Sequence, residues 1–196
     1  MAVDIDGVNS TISTDKLIPQ SGTALQIGES GDTVTLVGTA SGFGGGKVLQ
    51  SVSSIVNTEF SFNTVIPQDN TIPAITEGTE ILTRAITPTS ATSNLHIAIH
   101  VQYGLLVGTS RCFFALFVGG TTDALQSGYD WTGQGEMAMV SFNHIVASGS
   151  TSARTYSVRA GPSSSGVTVK INKQGDDTSI LGGTVRSGII VTEIEV

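Results

Sequence analysis

Charge is scarce in this chain. Lys, Arg, Asp and Glu make up 13% of its 196 residues, against about 25% in typical soluble proteins. Cations are scarcer still. Nine Lys plus Arg face sixteen Asp plus Glu for a formal net charge of −7, and the nine are scattered singly. Binding to a nucleic-acid backbone needs clustered cations, so that class has no footprint here. Only one cysteine is present, Cys112, which excludes an intrachain disulfide. It lies beside the apolar run Phe113 to Phe117 and reads as a buried, inert thiol. No apolar run approaches the ~20 residues that span a bilayer. The start, Met1-Ala2-Val3-Asp4-Ile5-Asp6, is acidic and lacks the apolar centre of a signal peptide. The expectation is a chain made in a cytoplasm that inserts into no membrane by itself. Low charge also leaves few of the groups that keep subunits apart, so self-association is expected.

What remains is Ser, Thr, Gly and Asn around 39% hydrophobic residues, a β-rich and turn-rich composition that does not support long helices. The chain divides at Ser41-Gly42-Phe43-Gly44-Gly45-Gly46-Lys47. A phosphate loop, G-x-x-x-x-G-K-[ST], needs glycine five residues before Gly46 and Ser or Thr after Lys47. Ser41 and Val48 stand there, and the dinucleotide pattern G-x-G-x-x-G fails at Lys47. The stretch over residues 41–46 therefore reads as a hinge, made by Gly42, Gly44, Gly45 and Gly46, with Phe43 as a pin between two segments.

Residues 1–40 hold short strand-like runs separated by Pro19 to Gly22 and Gly28 to Asp32. Their apolar residues, Leu17, Ile18, Leu25, Ile27, Val34 and Leu36, are too few to bury a core. The segment reads as one built to dock, with those six as its contact residues.

Residues 47–196 read as one all-β domain. Leu95, Ile97, Ile99 and Val101 alternate with Asn94, His96, Ala98, His100 and Gln102, the period of a strand with one buried face. Arg111 to Val118 is almost continuously apolar, as in a strand covered on both faces. Further strands are expected at 47–52, 60–66, 80–86, 136–146, 155–160, 167–172 and 187–196. About eight strands with turn signals between them predict an antiparallel sandwich or jelly roll. Gly128 to Gly135 reads as a loop carrying Tyr129 and Trp131. Two aromatics in a glycine-rich loop suit a recognition surface; the alternative is that Trp131 plugs one end of the sandwich.

Signals for catalysis are weak. His96 and His100 would share a metal on a helix, but on a strand they lie ~13 Å apart. Joining equivalent histidines would take a symmetric oligomer. Gly175-Asp176-Asp177-Thr178 lacks the calcium-loop pattern and reads as a polar hairpin. No G-x-S-x-G occurs, and most acids fall in turns or at the chain end, Glu193 and Glu195 among them. The expectation is a non-enzymatic protein with no catalytic residues, no cofactor and no metal.

Ser13 to Thr35, with its Leu17-Ile18-Pro19-Gln20-Ser21-Gly22 and Leu25-Gln26-Ile27-Gly28 pieces, resembles a segment of bacteriophage tail-fibre and related virion proteins. Leu116-Phe117, Ala153 to Ala160, Val169 to Asn172 and Thr192-Glu193-Ile194 are similar to the C-terminal jelly roll of the same proteins. The resemblance implies a homotrimeric jelly roll of tumour-necrosis-factor or C1q-like shape, located in the virion. One sheet of each subunit would pack round a three-fold axis, and residues 1–40 would dock on other virion proteins. It implies a short tail fibre or tip that binds a host surface glycan or protein. The runner-up is a trimeric capsid decoration protein that stabilises the head shell.

Overall fold

The computed structural model describes residues 46–106 and 110–196. The expectations for Leu17, Ile18, Leu25, Ile27, Val34 and Leu36, and for Gly42 to Gly45, lie outside these residues. Ten strands and one 3₁₀ turn, Leu181–Gly183, make up the described elements. The strands are β1 (Val48–Val56), β2 (Phe60–Phe62), β3 (Thr79–Ile86), β4 (Asn94–Leu105), β5 (Ser110–Val118), β6 (Gln126–Thr132), β7 (Met137–Ala147), β8 (Arg154–Pro162), β9 (Val169–Ile171) and β10 (Ser187–Ile194).

Two antiparallel sheets stack. The first runs β1-β10-β4, with β7 on the far edge of β4; the second runs β3-β8-β5-β6. With the three-residue strands β2 and β9 set aside, the eight long strands follow the order 1-8-3-6 in one sheet and 2-7-4-5 in the other. That is the double Greek key of a jelly roll. The fold is all-β, as the alternation predicts.

The core lies between the sheets. Leu95, Ile97, Ile99, Val101, Tyr103 and Leu105 of β4 are all buried and face Phe114, Leu116, Tyr156 and Val158 from the second sheet. The Tyr103 and Phe114 rings meet edge-on with centroids 5.2 Å apart, a favoured aromatic geometry. The other side of β5 is covered as well. Ala115 and Phe117 pack with Ile66, Ile75 and Ala124 in a second apolar cluster, which is why the β5 sequence does not alternate.

That covering explains one departure from the sequence expectation. The strand expected over 60–66 stops at Phe62, because the chain leaves the first sheet to press Ile66 onto the outside of the second. Gly161 permits the approach: a Cβ there would lie 2.6 Å from the Thr64 carbonyl oxygen. Arg159 pins the same connection by donating from Nε to the Glu77 carbonyl and from Nη2 to that of Gly78. The strand expected over 167–172 is likewise short. Asn172, at φ 58°, turns the chain out of the sheet.

At Gln102 the edge of β4 passes from β10 to β9. Ser187 Oγ accepts from the Gln102 N–H and donates to Asn172 Oδ1, and Asn172 Nδ2 donates to the carbonyls of Val56 and Thr58. Two buried polar side chains thus join four strands with their hydrogen-bonding groups satisfied.

Candidate functional site

Within β1, β10, β4 and β7 the outer face of the first sheet carries no ionised residue; Lys170 of β9, opposite Gly104 and held by Asp177, is the charged position at the far end of this sheet. Register places its outward residues in rows across β1, β10, β4 and β7: Ser51, Thr192, His96 and Ile145; Ser53, Ile190, Ala98 and Asn143; Ile55, Gly188, His100 and Ser141. Gln102 and Met139 form a further pair. Ile145 is 62% exposed, Met139 58% and Ile55 47%. These are large apolar side chains left open in the described domain. The rim strand of this face, β7, reads MAMVSFNHIVA, eleven residues without a charge or a proline. Edge strands are normally blunted by charge, proline or cover; β7 has neither of the first two.

Strand β6 forms the second candidate surface and corrects the sequence reading. Gly128 to Thr132 is not a loop; it pairs with β5 from Ser110 to Phe114, and the glycine at 128 occupies an ordinary ladder position opposite Phe114. Tyr129 and Trp131 project from the same outward face of this edge strand, 63% and 57% exposed, so Trp131 plugs nothing. The Tyr129 ring packs on Phe113 with centroids 5.8 Å apart, and the Arg111 guanidinium lies 6.0 Å from its centroid. Arg111 is held in turn by Gln68 Oε1 at 3.0 Å. The result is a shallow strip of aromatic faces with a cation at one end, suited to stacking and cation–π contact.

Other candidates resolve as structural. His96 and His100 stand on one strand, four residues apart on the same face. His144 points the other way, with Nδ1 3.1 Å from Gln126 Oε1. Among the described residues no three His, Cys, Asp or Glu side chains gather as a metal site. Asp177 accepts from the Lys170 ammonium at 2.8 Å and lies 3.3 Å from that of Lys173; hydrogen bonds from these lysines lower its pKa. The 175–178 loop is therefore a charge-matched turn. Cys112 is fully buried, and burial raises its thiol pKa far above the ordinary range. A shallow notch of about 200 Å³ beside β3 and β8 has Glu80 as the one ionisable residue in its lining, so it offers no acid–base pair. No helix among the described residues is long and apolar enough to cross a membrane. Gly46 is the described residue of the glycine stretch. It approaches the end of β10 so closely that a Cβ would lie 2.5 Å from Ile194 Cγ2.

One buried group was not anticipated. Glu193, expected among the acids of the chain end, lies on β10 in phase with Ile189 and Val191 and is fully buried. Burial opposes its ionisation, but hydrogen bonds from Ser93 Oγ, Gln50 Nε2 and the Thr89 and Ser90 amides outweigh that and hold its pKa at about 2. The Ser93 and Gln50 contacts are both 2.6 Å. The carboxylate thereby ties the β3–β4 connection to β1 and β10. The signal was present in the sequence, as the third member of Ile189-x-Val191-x-Glu193.

Comparison with known proteins adds a family. The family model described as the Pgp3 C-terminal domain matches residues 51–196. No curated protein matches the chain in sequence. Among solved structures, one of the infectious bursal disease virus Gx strain has 11% identity and a TM-score of 0.35 over 76% of this chain and 38% of that one. T=1 particles derived from infectious bursal virus have 13% identity and a TM-score of 0.35, over 76% of this chain and 37% of that one. The chain thus spans less than two-fifths of these structures' length, and nothing about function follows from likenesses so distant.

Proposed function

The chain belongs to the Pgp3 C-terminal domain family, and from that premise we propose that it is a non-enzymatic structural protein of a virion. In this reading it is a homotrimeric short tail fibre or tip of a bacteriophage that binds a host surface glycan or protein. One observation carries the self-association: β1, β10, β4 and β7 present no charged residue on the outer face of the first sheet, although the chain has a net charge of −7. Identical copies that meet bring like charges together, and an uncharged face avoids that repulsion. The uncharged edge strand β7 borders that face. An edge laid on a neighbour's face is a head-to-tail contact, and such contacts form a ring when the rotation between copies closes. The resemblance of the sequence to trimeric tail-fibre jelly rolls supports a ring of three.

Attachment is assigned to Tyr129 and Trp131, on the opposite sheet from the self-contact and thus free in the assembly. Residues 1–40 are assigned the docking role on other virion proteins.

The test is binding of the purified full chain to host cell envelopes and, separately, to empty capsids. Envelope binding that Trp131→Ala abolishes is the expected result. Binding to capsids alone, at a copy number near that of the major capsid subunit in purified particles, would overturn attachment in favour of capsid decoration. Sedimentation of Ile145→Lys tests the self-contact: a monomer is expected, and an unchanged oligomer would remove this face from the interface.

A further inference from the structure

We infer that the strip made by Tyr129, Trp131 and Arg111 takes an acidic sugar, with pyranose rings stacked on the two aromatics and a carboxylate on the guanidinium. This rests on the proposal that the strip is the attachment site, and it names the chemistry of what is attached. Tyr129 and Trp131 are two residues apart on one face of β6, about 7 Å along the strand, so the rings of one short oligosaccharide can rest on both. Arg111 is opposite Trp131 in the ladder, and its guanidinium carbon lies 6.0 Å from the centroid of the Tyr129 ring. The cation thus stands beside both rings.

Arg111 keeps donors free. Its one described side-chain hydrogen bond runs from Nη1 to Gln68 Oε1, which leaves the Nε–Nη2 edge with two parallel N–H groups. That edge matches a planar carboxylate. No carboxylate of the described residues takes it: their ion pairs are those of Lys170 and Lys173. Asp130, between the two aromatics in sequence, pairs with the fully buried Cys112 and so faces inward; its Oδ1 accepts from the Trp131 amide at 2.8 Å. Asp69, next to Gln68, accepts on Oδ1 from the amide and hydroxyl of Thr71. Glu80, outward on β3, stands in the row of Arg159 and Ala115, two strands and four residues from Arg111. That is about 10 Å across and 13 Å along the sheet, beyond a screening length of about 8–10 Å.

Uncharged polar groups stand next to the rings. Ser127 is exposed on the same face of β6, and the Gln68 amide sits against the guanidinium. A protein partner fits less well. Each ring covers at most about 150–250 Å², against the roughly 800 Å² that each side contributes to a stable protein interface. Small stacking platforms beside hydrogen-bonding groups suit a sugar, whose C–H face is apolar and whose rim is polar.

Trp131 is the single tryptophan of the chain, so its emission reports contact at the strip. The test titrates the full chain with trigalacturonate and its neutral methyl ester, and with sialyllactose and lactose. The expected result, in at least one pair, is an emission change with an affinity about fivefold higher for the acid than for its neutral counterpart, the upper end for one exposed ion pair. Arg111→Gln is expected to remove that difference. Equal affinities within both pairs, no emission change with either acid, or a preference that Arg111→Gln retains refutes the inference. So does inorganic phosphate that displaces the acids at equal concentration, which makes the site a plain anion site. Should Arg111→Gln fail to fold by circular dichroism, the acid-against-neutral comparison in the native chain decides alone. Envelope binding separates the inference from the attachment it rests on. Binding that Trp131→Ala abolishes but Arg111→Gln leaves unaltered, or that survives periodate oxidation of the envelope glycans, keeps attachment and refutes the acidic sugar. Arg111-dependent sugar binding by a chain that binds no envelope upholds the sugar site and refutes attachment.

Discussion

Replacing Glu193 with Gln perturbs the fold at a buried carboxylate anchor while keeping shape and volume. The carboxylate accepts from Ser93 Oγ and the Ser90 amide on Oε1, and from Gln50 Nε2 and the Thr89 hydroxyl on Oε2. The Thr89 amide reaches both oxygens. A glutamine oxygen in the Oε1 position keeps the first pair. Its NH₂ then faces two donors. The Thr89 hydroxyl can turn to accept, but Gln50 cannot flip without turning its own oxygen toward the Thr87 carbonyl, to which it now donates at 2.7 Å. One charge-assisted hydrogen bond, of about 1.5–3 kcal/mol, is lost and a second is weakened, so the substitution costs about 2–4 kcal/mol. Urea titration at fixed protein concentration reads this as a midpoint lowered by roughly 1–2 M. The pH dependence checks the cause. The carboxyl pKa is lowered from 4.5 to about 2 in the folded state, so its stabilisation is complete above pH 4.5 and disappears as pH falls toward 2. The gap between native chain and variant is therefore wide at pH 7 and closes near pH 2. A gap under about 0.5 kcal/mol at pH 7, within the scatter of surface substitutions, or one that does not change with pH, refutes the anchoring role.

Other substitutions separate scaffold from surface. Gly161→Ala is expected to lower stability by about 1–3 kcal/mol through overpacking, since the added Cβ meets the backbone of Thr64 and Ile66; an unchanged thermal midpoint counts against the tight seat of Ile66. Asn172→Ala removes three hydrogen bonds at a left-handed residue and should cost about 2–4 kcal/mol in chemical denaturation. Tyr129→Ala, at an exposed position, is expected to change stability by less than about 1 kcal/mol while weakening envelope binding. A large loss of stability would make Tyr129 a packing residue. Cys112 should resist a thiol reagent at pH 8 until denaturant is added, and rapid native labelling would contradict its burial.

How much of this was legible in the sequence differs from strand to strand. The inner face of β4 could be read directly, because Leu95, Ile97, Ile99 and Val101 recur at period two. So could the double cover of β5, since an apolar run without alternation has no solvent face. The sequence misled where glycine and aspartate, usually turn residues, occupy ladder positions: Gly128 and Asp130 hid the alternation of Ser127, Tyr129 and Trp131 in β6. Glu193 was misplaced because charge ordinarily marks solvent, and only its donors, drawn from a connection about a hundred residues earlier, make burial tolerable. The uncharged face was not legible at all. Ser51, His96, Asn143 and Thr192 are each unexceptional outward residues, and they become a surface only when the register sets four distant strands side by side.

That register also fixes an order of events. Strand β1 pairs with β10 alone, so it has no partner until roughly 130 further residues have been made, a separation of the kind that slows folding. In the interval its apolar residues Val52 and Val56 wait beside a half-built sheet. The last strand to appear is the one inserted between β1 and β4, and it carries the carboxylate that locks the β3–β4 connection. Closure of the sheet and capture of that connection are therefore a single late step, which makes β10 the gate between a partly ordered chain and one able to assemble.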